Sequence, residues 1–150
     1  MQRINLGKTA PELYKTVIEL ENLSMQKVQQ AGLDIGFSHL LKLRASQINQ
    51  CAFCVRMHTQ DAVKAGETTD RISLISAWRE SEYFNQKERA ALILIEEITL
   101  LALHHFPDQA YEQAAQHLSS AEITAIEWIG IVINTWNRIA ISSQYRVAPE

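Results

Sequence analysis

The sequence predicts an all-α, single-domain helical bundle spanning residues 1–150. Three observations carry that prediction: no stretch keeps up the apolar–polar alternation of a strand, helix-start signals precede the apolar runs, and most of the three prolines and five glycines fall at breaks between periodic segments. A composition of 47% apolar and 21% charged residues excludes disordered, collagenous and low-complexity classes. A chain of this length buries roughly two-thirds of its unfolded surface, enough for a sizeable core.

The elements follow in order. Thr9-Ala-Pro-Glu12 combines an N-cap threonine, an early proline and a glutamate three residues on, opening a helix to about Asn22 or beyond; a second short run ends near Gly32. Ile35 to Gln47, with Leu40, Leu41, Leu43 and Ile48 at helical spacing, is the next helix, and Asn49 is the expected N-cap of CAFCVRMHTQDAVKAG, which Gly66 stops. Thr68 or Thr69 starts a helix through Ile72, Ile75 and Trp78. Asn85-Gln-Lys-Glu88 is a capping box for ERAALILIEEITLLALHHF, a helix expected to end at Pro107. Asp108 to Leu118 forms a short amphipathic helix, and Ser119-Ser-Ala-Glu122 opens the last, from Ile123 to about Ser143. The β-branched run Ile129–Ile133 also suits a buried strand, but segment length and the serine cap favour helix.

Leu92–Leu103 and Ile123–Ile141 are apolar nearly all the way round, so neighbours must cover them on every side, which predicts a homo-oligomer. Fourteen Lys plus Arg against seventeen Asp plus Glu give a net charge of −3 without any block of like charge, and no nucleic-acid partner is expected. No stretch reaches the ~18 apolar residues of a membrane span, and the opening residues lack a signal-peptide core, so the expected compartment is the cytoplasm, with no membrane partner. Two cysteines are too few for a disulfide framework; a close pair points to redox or metal chemistry.

That pair, Cys51 and Cys54, forms C-x-x-C-x-x-x-H with His58. At about 100° per residue the three positions fall at roughly 0°, 300° and 340°, on one narrow helix face. With Asn49 as cap, Cys51 enters the first turn, where the positive end of the dipole favours thiolate; Cys54 lies one turn before an imidazole able to accept its proton. A thiolate attacking a peroxide becomes a sulfenic acid, which a nearby thiol condenses to a disulfide. The same pair suits exchange with a partner's disulfide. Two other readings compete: two small buried core residues, or a structural zinc site for which His39, Asp61, His104, His105 or His117 would have to complete four ligands. The latter lacks a second ligand pair, so no metal and no cofactor are expected.

HLLKLRASQINQCAFCVRMHTQDAVKAGETTDRI (residues 39–72), AWRESEYFNQKERAALILIEEIT (77–99) and NTWNRIAISS (134–143), with S-Q-I-N-x-C-x-x-C-x-x-x-H-x-x-x-A at their centre, resemble the alkylhydroperoxidase D-like branch of the carboxymuconolactone decarboxylase family. The resemblance implies an all-α homotrimer or homohexamer with the cysteine pair at the base of a cavity near subunit contacts. It implies a thiol-dependent peroxidase or disulfide oxidoreductase of antioxidant defence, taking an alkyl hydroperoxide as substrate and electrons from a dithiol or a disulfide reductase. Carried over by position, Cys54 meets the peroxide, Cys51 closes the disulfide and His58 belongs to the proton relay. The relay glutamate expected twelve residues before the first cysteine is His39 here, a replacement that still shuttles protons near neutral pH; a partly exposed or core-satisfied histidine is the alternative. Phe53 makes the middle of the motif more apolar.

Glu96 occupies the place of a recurrent family acid and is a candidate relay group, with a salt-bridged structural carboxylate as the competing reading. His104, His105 and His117 near helix ends are assigned no chemistry, and Trp78, Trp128 and Trp136 are expected in the core or an interface. A lactone-processing, decarboxylase-like or small-molecule-binding protein of the same fold is the alternative function.

Overall fold

In the computed structural model, residues 3–149 are described, and among them every regular element is helical. In chain order these are α1 (Leu6–Thr9), α2 (Pro11–Gln30), α3 (Ile35–Ile48), α4 (Ala52–Lys64), α5 (Thr69–Leu74), a 3-10 turn (Ile75–Glu80), α6 (Gln86–Thr99), α7 (Asp108–Ala115) and α8 (Ser120–Ser142). None of these helices is long and apolar enough to cross a membrane.

α3 lies at the centre, packed on α4, α6 and α8, and its Phe37, Leu40, Leu41 and Leu43 are buried in the main apolar core. α6 contributes Leu92, Leu94 and Ile95; α8 contributes Ile126, Ile129 and Ile133. α6 and α8 approach closely at Gly130, where a Cβ would stand 2.7 Å from Ile98 Cγ2, so only glycine fits without a shift.

Helix ends follow recognisable chemistry. Thr68 Oγ1 accepts from Arg71 N, and both halves of the capping boxes at Asn85/Glu88 and Ser119/Glu122 are made. Four C-termini close with a left-handed residue and paired 6→1 and 5→2 bonds: Gly32 after α2, Gln50 after α3, Gly66 after α4 and Gln144 after α8.

Several boundaries differ from expectation, among them the helix expected from Thr68 or Thr69 through Trp78, which ends at Leu74 and passes into a 3-10 turn with Ala77 at φ −119°. Thr9 does not cap α2: it ends α1, its hydroxyl donates to the Asn5 carbonyl, and α2 starts from Ala10 with Pro11 in its first turn. α2 is one helix rather than two runs, because neither glycine nor proline interrupts it before Gly32. α6 ends at Thr99, eight residues before Pro107; Leu101 and Leu103 beyond it are exposed, so no burial holds further helical turns against the core. Asn49 is also not an N-cap, as described below.

Candidate active site

The joint between α3 and α4 fixes the cysteines. Asn49 is the C-cap of α3, and Gln50 follows at φ 57°. Gln50 N donates to Gln47 O (3.1 Å) and Cys51 N to Ser46 O (3.0 Å), closing α3; Cys51 O then accepts from Val55 N (2.9 Å), opening α4. Cys51 thus ends one helix motif and caps the next. The expected asparagine cap lost to this arrangement because the Asn49 side chain is used elsewhere: its Nδ2 donates to Asn134 Oδ1 (2.9 Å) and Asn137 Oδ1 (2.8 Å) on α8. Asn137 Nδ2 in turn donates to Ser46 Oγ (3.0 Å), and Asn134 Nδ2 to Thr99 Oγ1 (3.0 Å). The half-buried Asn49 amide and the buried amides of Asn134 and Asn137 tie the joint to α8 and α6.

Cys51 at the N-cap and Cys54 in the first turn stand 5.4 Å apart between Cα atoms and form a disulfide. The shift in helix start moves the dipole's advantage: Cys54, inside the first turn, now shares the field of unpaired N–H groups that the expected boundary gave chiefly to Cys51. Both are almost wholly buried, at 2% and 1% exposure. They differ in what they face. Cys54 lines a cavity of about 320 Å³ walled by α2, α3, α4, α8 and the C-terminal segment; Cys51 is not part of that wall.

The cavity is apolar over most of its lining, with Tyr14, Ile18, Phe53, Met57, Trp136 and Tyr145 around it. Phe53 and Tyr145 meet edge-on at 5.3 Å between ring centroids. Its polar groups are His39, Lys42, His58, Glu21 and Asp61. Lys42, only 1% exposed, pairs with the Glu21 carboxylate and lies 3.0 Å from Met25 Sδ, while Trp136 Nε1 donates to the other Glu21 oxygen at 3.2 Å. A buried ammonium stands only because that carboxylate compensates it.

His58 is 5% exposed, and neither ring nitrogen has a hydrogen-bond partner among the described residues. Burial, then the positive charges of Lys42 and His39, push its pKa down to about 3. The His39 ring stacks on it, and His39 Nδ1 is also buried without a partner. Burial and Lys42 lower the His39 pKa against the opposing pull of Asp61 and Glu21. Both imidazoles are therefore neutral near pH 7.

Of the expected site residues, Cys54, His58 and His39 converge on this cavity, with Cys51 behind Cys54. Glu96 does not join them. Its Oε1 accepts from Arg44 Nε (2.7 Å) and Trp78 Nε1 (2.9 Å), and its Oε2 meets Arg79 Nη1 at 2.6 Å. Burial raises its pKa, but the hydrogen bonds from Trp78, Arg44 and Arg79 outweigh that and hold it below the usual carboxylate range. This is the salt-bridged structural carboxylate. Lys42, Glu21, Tyr14, Tyr145 and the asparagine cluster are the site residues that sequence reasoning missed; an apolar helix face interrupted by Lys42 was the available signal.

The model of the carboxymuconolactone decarboxylase family matches residues 11–97. An uncharacterised Bacillus subtilis (strain 168) protein, YdfG, is 37% identical over 147 residues, 98% of this chain and 97% of that one. A crystal structure from Agrobacterium tumefaciens, of a protein of unknown function put forward as the antioxidant defence protein AhpD, superposes with a TM-score of 0.88 at 43% identity, covering 100% of both chains. The chain belongs to the carboxymuconolactone decarboxylase family, on its alkylhydroperoxidase D-like branch.

Proposed function

We propose that this protein reduces organic hydroperoxides, or a partner's disulfide, through a dithiol–disulfide cycle of Cys51 and Cys54. One observation carries the reading: Cys54 faces the cavity, one helical turn before a buried imidazole, while Cys51 sits behind it within bonding distance. In the reduced protein the Cys54 thiol gives its proton to His58. A neutral imidazole with a low pKa is a weak base, but a thiolate forming one turn away adds the negative charge that favours imidazolium, and Lys42 and the first turn of α4 favour the thiolate.

The Cys54 thiolate attacks the terminal peroxide oxygen and the O–O bond breaks. Cys54 becomes a sulfenic acid, and the alkoxide leaves as an alcohol, taking its proton from the His58–His39 pair. The Cys51 thiol then attacks the sulfenic sulfur; a disulfide forms and water departs. An external dithiol or disulfide reductase supplies two electrons and two protons to restore both thiols. The apolar, aromatic wall of the cavity suits the organic part of a bulky hydroperoxide better than hydrogen peroxide.

We also read the chain as a cytoplasmic homo-oligomer, a homotrimer or homohexamer. Trp128, Ile131 and Ile141 of α8 and Leu13, Ile18 and Leu23 of α2 are exposed in the single chain, which supports that assembly. The test of function is consumption of a dithiol dependent on an organic hydroperoxide, compared in wild type, Cys51→Ser and Cys54→Ser. Turnover in wild type alone supports the cycle. Full activity on a lactone in the double-serine variant would favour the decarboxylase-like alternative instead.

A further inference from the structure

The mechanism uses His58 and His39 as proton carriers and leaves Asp61 without a role. Yet the three stand together. His58 and Asp61 are three residues apart on α4, on neighbouring turns of one face, and His39 reaches over from α3. One ligand-type atom from each lies within 4.8 Å of the others.

Two independent facts point to a ligand. First, this is a two-histidine, one-carboxylate set opening on a cavity, the donor combination that suits first-row transition ions rather than calcium or magnesium. Second, His58 is more than nine-tenths buried with both ring nitrogens lacking a partner among the described residues, and His39 Nδ1 is buried without one there as well. Buried polar nitrogens without partners are uncommon and call for an occupant. We infer that His39, His58 and Asp61 form a binding site for a divalent transition-metal ion such as Zn²⁺ or Co²⁺, with the remaining coordination positions open to the cavity.

The geometry needs modest closure. Ligands at 2.0–2.2 Å from a tetrahedral ion stand about 3.4 Å apart, so the set must contract by roughly an ångström. His39 and Asp61 are half-buried and border the cavity, so the contraction falls to their side chains rather than to the buried His58. Among the described residues Asp61 is committed only to a surface pair, its Oδ1 lying 3.4 Å from the exposed Lys64 ammonium. Lys42 nearby opposes a cation, but Glu21 neutralises it, leaving the Asp61 carboxylate as the net charge that meets the ion. The site does not depend on the peroxidase reading. If that reading holds, an ion on His58 occupies the nitrogen that moves the proton and slows the cycle.

The test uses the full-length protein in its disulfide form, where neither sulfur is free to ligate. Titration with Co²⁺ followed by visible absorption, then competition with Zn²⁺ by calorimetry, should give one saturable ion per chain. Because even supporting groups around a metal are worth 10–100-fold in affinity, Asp61→Asn and His39→Gln should each weaken binding by about tenfold or more. Circular dichroism establishes that both variants are folded. Absence of saturable binding, or affinity unchanged in both folded variants, would overturn the site. Failure here leaves disulfide formation by peroxide untouched, and a dead peroxidase leaves the Co²⁺ titration interpretable.

Discussion

The imidazole of His39 stacks on that of His58, with ring centroids 5.7 Å apart and planes inclined by 29°. Where the family resemblance leads one to expect a carboxylate, this chain sets two neutral rings beside a buried lysine–glutamate pair. A carboxylate at position 39 would favour imidazolium at His58; a second imidazole next to Lys42 disfavours it. The two imidazoles are thus tuned by their neighbours' charge as well as by burial.

Restoring the carboxylate should reverse that tuning. His39→Glu places a negative charge within reach of His58 and should raise the His58 pKa by about 1–3 units, read from its ring resonances across a pH titration. The acid limb of the pH profile of the proposed cycle should move in the same direction. A His58 titration unchanged in the variant would show that the stacked rings are not electrically coupled.

Burial of neutral His58 has a cost in acid. Its folded pKa of about 3 lies below the ordinary value of 6.5, so between those limits the unfolded chain holds a proton that the folded chain does not. Stability is full above pH 6.5 and should fall by up to about 1.4 kcal/mol per pH unit from there toward pH 3. Urea unfolding of the oxidised protein at several pH values should show a shallower loss in His58→Asn than in wild type. Parallel curves would contradict the assignment.

Gln50 holds a left-handed conformation, φ 57°, and is exposed, so its side chain gives little back for the strain. Gln50→Gly should stabilise the fold by about 1 kcal/mol, and Gln50→Val, whose branched Cβ fits that region badly, should destabilise it by a similar amount or more. Denaturant midpoints measured on the disulfide form give the sign of both changes.

Glu96 separates structural from catalytic acid. Glu96→Gln removes the charge that Arg44 and Arg79 neutralise and should lower stability by about 2 kcal/mol or more, yet leave the rate of disulfide formation by peroxide within about twofold of wild type. A large drop in that rate in a folded variant would return Glu96 to the relay.

Much of this was legible in the chain. Capping boxes at Asn85 and Ser119 are local chemistry, satisfied within four residues, and both helices begin where those residues stand. The spacing of Cys54 and His58 placed both on the cavity face of α4, and the family motif brought His39 to the same cavity, whereas Cys51, expected on that face in the first turn, is the extended N-cap behind Cys54. The misreadings are tertiary. Asn49 reads as a cap because its side chain suits one, but partners 85 and 88 residues away on α8 take its amide. Pro107 reads as the stop of α6, but the core ends earlier and leaves Leu101 and Leu103 in solvent. The Glu21–Lys42 pair joins two helices, and no local pattern announces which carboxylate a buried lysine will find.

The central claim, that Cys54 meets the peroxide and Cys51 closes the bond, is tested most directly by thiol labelling. Reduced wild type and Cys51→Ser are each treated with one equivalent of an organic hydroperoxide in the presence of dimedone, and the peptides are mapped by mass spectrometry. The expected result is an intramolecular Cys51–Cys54 disulfide in wild type and a sulfenic-acid adduct on Cys54 in the variant. Both thiols of wild type remaining open to alkylation, or Cys54 of the variant remaining unmodified, would contradict it.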